Sequence, residues 1–318
     1  MSTTTTVVSG NEPLRPAARR GPAGGRLALA ALRVIGSHRK AFVGALLLLV
    51  FVVLAVGAPL IAPYSPDNNN FLPISAPSGD HWLGTTSYGQ DILSQLIWGT
   101  RQSLLIGLVA GLAATVISVL VGVSSAYLGG TTDHALSLVT DIFLVLPALP
   151  LMIVIAAYYK GSGAGVIIAV IVVTGWSFGA RQLRSQALSL RHREYLEAAR
   201  IRGERSSYII LFEVLPTMIS LIAANFLGAA LYAVLSEAGL QFIGLGNINE
   251  WSWGTMLYWG ENQEALLSGA PLWIIAPGVC IALLGASFAL LNYAFDEIGN
   301  PALRTVGRRS RGRRRAHP

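Results

Sequence analysis

From Ala41 to Ala62 no residue of the chain carries a charge. An α-helix needs about 20 apolar residues to cross the roughly 30 Å hydrocarbon core of a bilayer. Five more apolar stretches follow, at about Gln102–Tyr127, His134–Ala157, Ala164–Gly179, Thr217–Leu240 and Leu272–Phe295. A chain in which such runs recur must satisfy its backbone hydrogen bonds inside each segment, so the expectation is an all-α integral membrane protein with six transmembrane helices. Composition supports this at one point that matters. Only 12% of the residues are charged against 53% apolar, about half the charged fraction a soluble surface requires.

The formal net charge of +7 would suit a nucleic-acid partner, but its distribution argues for lipid. Of the 23 Lys and Arg, seven precede residue 41, seven lie between 181 and 205 and seven follow 303. Six spans with both termini in the cytoplasm put 21 of the 23 on the inner side, the pattern positive residues adopt in multispanning proteins. The expected organisation is then threefold: a disordered basic cytoplasmic tail with an interfacial helix over residues 1–40, a six-helix domain over 41–300, and a basic cytoplasmic tail over 301–318. The tail before Ala41 is too long, and the apolar run after it too extended, for a secretory leader. The arginines after the last span are expected to sit on anionic lipid. No nucleic acid is expected. The single cysteine, Cys280, falls in an apolar span and implies neither a disulfide framework nor a metal site.

The connections carry further signals. Pro63–Thr100 reads as a long polar loop on the outside. Small residues fill the second span and predict close helix contacts within a bundle. Pro147 and Pro150 should break or kink the third. Gln241–Gly269 holds Trp251, Trp253, Tyr258 and Trp259, which suit a membrane interface.

One stretch is different. Arg193–Pro216 is charged, helix-forming and too polar to span. Leu196, Ala199 and Gly203 recur at i, i+3 and i+7 and define a narrow apolar face. Ala198 and Ala199 leave room for another surface, and Arg200 can pair with Glu204 four residues on. Gly203 is a natural stop, and Ser206 or Ser207 can cap the next helix. A plain solvated loop is the alternative for such a charge run.

The spacing Glu197-Ala198-Ala199, Gly203, Leu215-Pro216 resembles the signature loop of permease subunits in bacterial ABC importers, although Glu213 stands where that family usually has Ile. Three other stretches are similar to the second, C-type permease of dipeptide, oligopeptide and nickel importers. The outer segment from Pro77 matches at His81, Leu83, Gly84, Thr85, Gly89, Asp91, Leu93, Ser94, Gly99, Arg101 and Ser103, with Thr86 in place of the usual Asp. Gly122–Asp141, with AYLGGTTD at its centre, and Leu235–Gly246 (LSEAGLQFIGLG) match as well, as does Trp253-Gly254. The ending Asn292–Arg304 departs from the peptide-permease pattern and leaves oligosaccharide or nickel open as cargo.

The resemblance implies the importer-permease (MetI-like) fold in the bacterial inner membrane. It also implies a coupling helix comprising Leu196, Glu197, Ala198, Ala199, Arg200 and Gly203, which inserts into an ATPase subunit. The implied partners are a homologous permease forming a heterodimer, two cytoplasmic ATPases and an extracytoplasmic substrate-binding protein. The chain itself would be non-catalytic and bind no cofactor, with ATP and Mg held by the ATPases. The absence of a Gly-x4-Gly-Lys-Ser/Thr loop agrees with that division.

Glu237 lies within the fifth span and is either a pathway residue or a carboxyl bonded to loop backbone. Pro147 and Pro150 could open a passage by freeing carbonyls, or be kinks set by packing. Asp133 and Asp141 read as helix-end or packing partners, and His81 with Asp80 and Asp91 as loop closure rather than a metal site. An ion-coupled secondary transporter would use intramembrane acids such as Glu237 and Asp141, but no internal repeat is evident. A membrane enzyme would need partnered polar groups inside the spans, and all five histidines lie outside or at their ends.

Overall fold

The computed structural model describes residues 39–159 and 163–299, so the expectations for both tails lie outside the described residues. All regular structure among them is helical apart from one isolated bridge, Thr85 to Asp91. Five helices are long and apolar enough to cross a membrane: α1 (Arg39–Ile61), α2 (Ile92–Leu128), α5 (Ala164–Leu190), α8 (Ile219–Phe242) and α11 (Leu272–Gly299). The third expected span is two helices, α3 (Gly130–Val145) and α4 (Ala148–Tyr158), bent by 88°. Counted as one broken span they make six, in agreement with the sequence. Between the spans lie α6 (Glu194–Ile201), α7 (Ser206–Thr217), α9 (Trp253–Asn262) and the short α10 (Ala265–Ser268).

The helix α2 is the axis of the bundle. Its 37 residues at 1.5 Å each exceed the hydrocarbon thickness, so it projects beyond the membrane. Sequence placed its start near Gln102, ten residues late. The polar residues Ser94, Gln95 and Arg101 mark the membrane boundary, but a helix need not end where the lipid does. What starts it is a cap: the Ser94 backbone N–H (2.8 Å) and hydroxyl (2.7 Å) donate to Asp91 Oδ2.

The expected crowding of small residues is realised on this helix. A Cβ on Gly111 would lie 2.7 Å from the Ala230 backbone, and one on Gly122 would lie 2.4 Å from the Ala180 carbonyl. These positions let α8 and α5 approach to backbone contact, where dispersion and close packing replace the hydrophobic effect as the force between helices in lipid. Ser118 Oγ adds a bond from α2 to the Trp176 carbonyl of α5 at 2.6 Å, and Ser287 Oγ of α11 donates to Gly44 O of α1 at 2.8 Å.

The loop 63–91 closes on the same cap. His81 Nδ1 lies 3.0 Å from Asp91 Oδ1, with the Tyr64 and Phe71 rings packed around the imidazole. Tyr64 Oη also donates to the Asp80 carbonyl at 3.4 Å, so the loop is closed through His81, Asp91 and this backbone contact. Asp91→Ala removes both the cap and the His81 contact and is expected to cost about 1–2 kcal/mol. It should lower the thermal midpoint of the detergent-solubilised protein, with Asp91→Asn keeping most of the stability. An unchanged midpoint would show that the cap is not structural.

In the connection 243–271 one of the four aromatics departs from the expected interfacial role. Trp253 is fully buried, its indole donating to Leu96 O at 3.2 Å and its backbone N–H to Ser103 Oγ at 3.2 Å. The helix α9 begins at a capping box of Ser252 and Thr255 and lies against α2, α8 and α11. Trp259 packs half-buried against the same core, whereas Trp251 and Tyr258 stay half-exposed and outside it. Cys280 is free and partly buried.

Candidate functional site

The segment Arg193–Pro216 forms the short helix α6, a glycine turn and the helix α7. In α6, Leu196 and Ala199 are fully buried. They pack with Val123 and Tyr127 of α2, Leu183 and Ala187 of α5, and Ile209 of α7. The narrow apolar face that the spacing picked out therefore turns toward this chain, not toward a partner. Glu197, Ala198 and Arg200 are exposed, and Ile201 is 86% exposed.

Gly203 ends the helix with φ +79°. The Glu204 N–H reaches back to Ala199 O (3.2 Å) and the Gly203 N–H to Arg200 O (2.9 Å). Together these make a Schellman turn, which needs the left-handed conformation glycine adopts without strain. The turn also explains why the expected Arg200–Glu204 pair does not form. Helical register is lost at Gly203, and Glu204 instead lies 3.7 Å from Arg202. Arg200 turns inward. Its Nε donates to Tyr127 Oη at 3.3 Å, its guanidinium lies 5.1 Å from that ring's centroid, and it donates to Arg191 O at 3.0 Å.

The expected serine cap of the next helix is absent, since α7 enters from Arg205 and leaves Ser206 and Ser207 inside its first turn. Within α7, Ile210–Val214 is a π turn, with the Leu215 N–H donating to Ile210 O. Pro216 follows directly and has no N–H to give, so a register change here costs the helix little. Glu213 sits in this turn, half-buried.

Near α6, the ends of the neighbouring spans are tied by charge. Arg184 of α5 makes a two-pronged contact with Asp133 of α3, at 2.7 Å to each carboxylate oxygen. Ser125 of α2 also donates to Asp133, and Ser137 does so at 3.2 Å. Arg181 holds Asp141 at 2.7 Å on the more exposed side. Both acids are packing partners, as the sequence suggested, and their partners were the part it did not reveal.

The three pathway candidates separate. Pro147 is the N-cap of α4, with the break falling at Leu146 and Pro147. Pro150 lies in the first turn of α4, where its missing N–H has no helical partner to lose. Glu237 is fully buried, and neither carboxylate oxygen has a hydrogen-bond partner among the described residues. Its polar neighbours are the Ser103 and Ser252 hydroxyls, which are side chains of α2 and of the α9 cap rather than loop backbone.

Beside the break lies a cavity of about 570 Å³ between α3, α4, α5 and α8, closed at one side by Asn292 of α11. Leu146 and Ala148, on either side of Pro147, line it, whereas Pro150 and Glu237 do not. Sequence reasoning missed this cavity. Thr174, Ser177, Asn225 and Tyr232 are ordinary polar residues inside spans, and only the packing of α5 against α8 brings them around one cavity.

Residues 114–298 match the family described as binding-protein-dependent transport system inner membrane component. Residues 28–77 match the N-terminal transmembrane domain of oligopeptide transport permease C. The oligopeptide transport system permease protein OppC of Mycobacterium tuberculosis is 32% identical over 275 residues, covering 85% of this chain and 93% of that protein. The dipeptide transport system permease protein DppC of Bacillus subtilis is 30% identical over 276 residues, covering 86% and 85%. A probable peptide ABC transporter permease protein of Sinorhizobium fredii is 32% identical over 271 residues, covering 85% and 91%.

Proposed function

This chain belongs to the binding-protein-dependent transport system inner membrane components, among the C-type permeases of oligopeptide and dipeptide ABC transporters, and from that premise we propose that it carries peptides inward as one half of an ATP-driven importer. A homologous permease would supply the other half of the passage. Two cytoplasmic ATPases would bind ATP and Mg and do the hydrolysis, and an external binding protein would deliver the peptide. The charge distribution supports an inner-membrane topology with both termini in the cytoplasm.

The observation that carries the reading is the build of α6. Leu196, Ala199 and the Arg200–Tyr127 contact hold it to the spans, while Glu197, Ala198 and Ile201 remain outside. A short helix anchored on one side and free on the other is what a coupling element requires. When the ATPase dimer closes, a partner seated on Glu197, Ala198 and Ile201 displaces α6. The buried contacts transmit that movement to α2 and α5 as a rigid body. The helix α5 also forms one wall of the cavity beside the broken span, so the displacement reaches the place where a peptide would pass. The side chains of this chain would bind and orient cargo and change no covalent bond.

The test is reconstitution of the four-subunit assembly in vesicles with the binding protein, followed by uptake of a labelled tripeptide. Uptake is expected with ATP on the ATPase side and none from a proton gradient without ATP. Uptake driven by the gradient alone would overturn the reading in favour of an ion-coupled transporter. Failure with peptides alongside ATP-driven uptake of an oligosaccharide or nickel would overturn the cargo.

A further inference from the structure

The cavity beside the third span has a wall that is polar and carries no Asp, Glu, Lys or Arg. Three side chains matter most: Asn225 and Tyr232 of α8 and Asn292 of α11. Asn225 and Tyr232 are seven residues apart, two turns of one helix, and so share a face. They reach the cavity because α5 places a glycine opposite each of them. A Cβ on Gly179 would lie 2.5 Å from Asn225 Nδ2, and one on Gly175 would lie 2.9 Å from the Tyr232 ring. Thr174 and Ser177 of α5 add hydroxyls on the facing wall. Asn292 Oδ1 is buried and has no hydrogen-bond partner among the described residues. Such an acceptor is costly to leave unmet, which argues for a donor brought by something that enters the cavity.

We propose that Asn225, Tyr232 and Asn292 form a charge-neutral subsite that hydrogen-bonds the main chain of a peptide in transit, so that this half of the passage is indifferent to the charge of the cargo's side chains. The inference rests on the peptide-importer reading above and specifies how cargo is held. Amides and hydroxyls offer both donors and acceptors, which is what a sequence of backbone N–H and C=O groups needs when it leaves water. A fixed charge on the wall would attract one class of peptide and repel the opposite class. With none present, discrimination by side-chain charge is left to the binding protein.

The test places a charge on the wall and reads selectivity as a ratio, so that the binding protein cancels. In the reconstituted assembly, Ala-Glu-Ala and Ala-Lys-Ala uptake are measured for the wild type and for Asn225→Asp. The carboxylate is expected to shift the Glu-to-Lys uptake ratio at least fivefold against the anionic peptide. Asn225→Gln is expected to keep the wild-type ratio, and co-purification with the partner subunits reports assembly of each variant. In a Cys280→Ser background, Asn225→Cys should react with a hydrophilic thiol reagent and be slowed severalfold by peptide-loaded binding protein with ATP. An unchanged ratio in an assembled Asn225→Asp transporter would overturn the proposal, as would equal loss of both peptides or an Asn225→Cys thiol that no reagent reaches. No peptide uptake by the wild type would instead overturn the importer reading itself.

Discussion

Replacing Asp133 with alanine is expected to destabilise the permease by about 2–3 kcal/mol, more than any surface charge change elsewhere in the chain. The carboxylate accepts from Arg184 at both oxygens and from Ser125 and Ser137. Its removal strands the guanidinium at the end of a membrane span and leaves three groups from α2, α3 and α5 without their common acceptor. Breaking a fully buried pair by removing one member costs about 3–5 kcal/mol. The figure here is lower because Arg184 keeps 34% of its side chain exposed and recovers some solvation. Asp133→Asn keeps an acceptor and should lose less. Exchanging the pair, as Asp133→Arg with Arg184→Asp, should recover part of the loss because the attraction survives while the two-pronged geometry does not. Thermal midpoints in detergent provide the measurement. A midpoint for Asp133→Ala equal to that of the wild type would sink the claim that this ion pair holds these ends of the spans together.

The second large effect separates the two faces of α6. On the outer face, Glu197→Lys and Ile201→Asp are expected to reduce ATP-driven uptake at least tenfold while the chain remains folded and inserted. On the inner face, Leu196→Ala is expected to cost about 2–5 kcal/mol of stability, since it empties a fully buried position packed between α2 and α5. Gly203→Val belongs with the inner face in mechanism. It forces a β-branched residue into a left-handed turn at φ +79° and loosens the whole connection. Uptake paired with thermal midpoints tells the classes apart. Outer-face variants that unfold, or that transport at the wild-type rate, would refute the assignment of that face to the ATPase.

Much of the architecture was legible before any coordinates. The apolar runs located the spans because lipid accepts little else, and the prolines marked the third as broken. The spacing of Leu196 and Gly203 marked a short helix ended by a glycine turn outside the spans. Two kinds of error were made. Ends were misplaced where a helix outran the membrane, as at Ile92, since hydropathy detects lipid and not hydrogen bonding. Faces were misread where a segment outside the membrane packs back on the bundle, as with Leu196, Ala199 and Trp253. A pattern of apolar residues states that a face is covered and is silent about what covers it.

The sequence by itself therefore determined the class of the protein, the stretches that become its apolar helices and the position of the short polar helix between two of them. Each of these follows from local physics: apolar length, charge clustering, and the few residues a turn tolerates. Only the tertiary structure decided which side of α6 is free, that Arg184 rather than any neighbour answers Asp133, and that Asn225, Tyr232 and Asn292 share one uncharged wall. Those are relations between segments far apart in the chain. They depend on how closely glycine-bearing helices approach, a distance that no local pattern encodes.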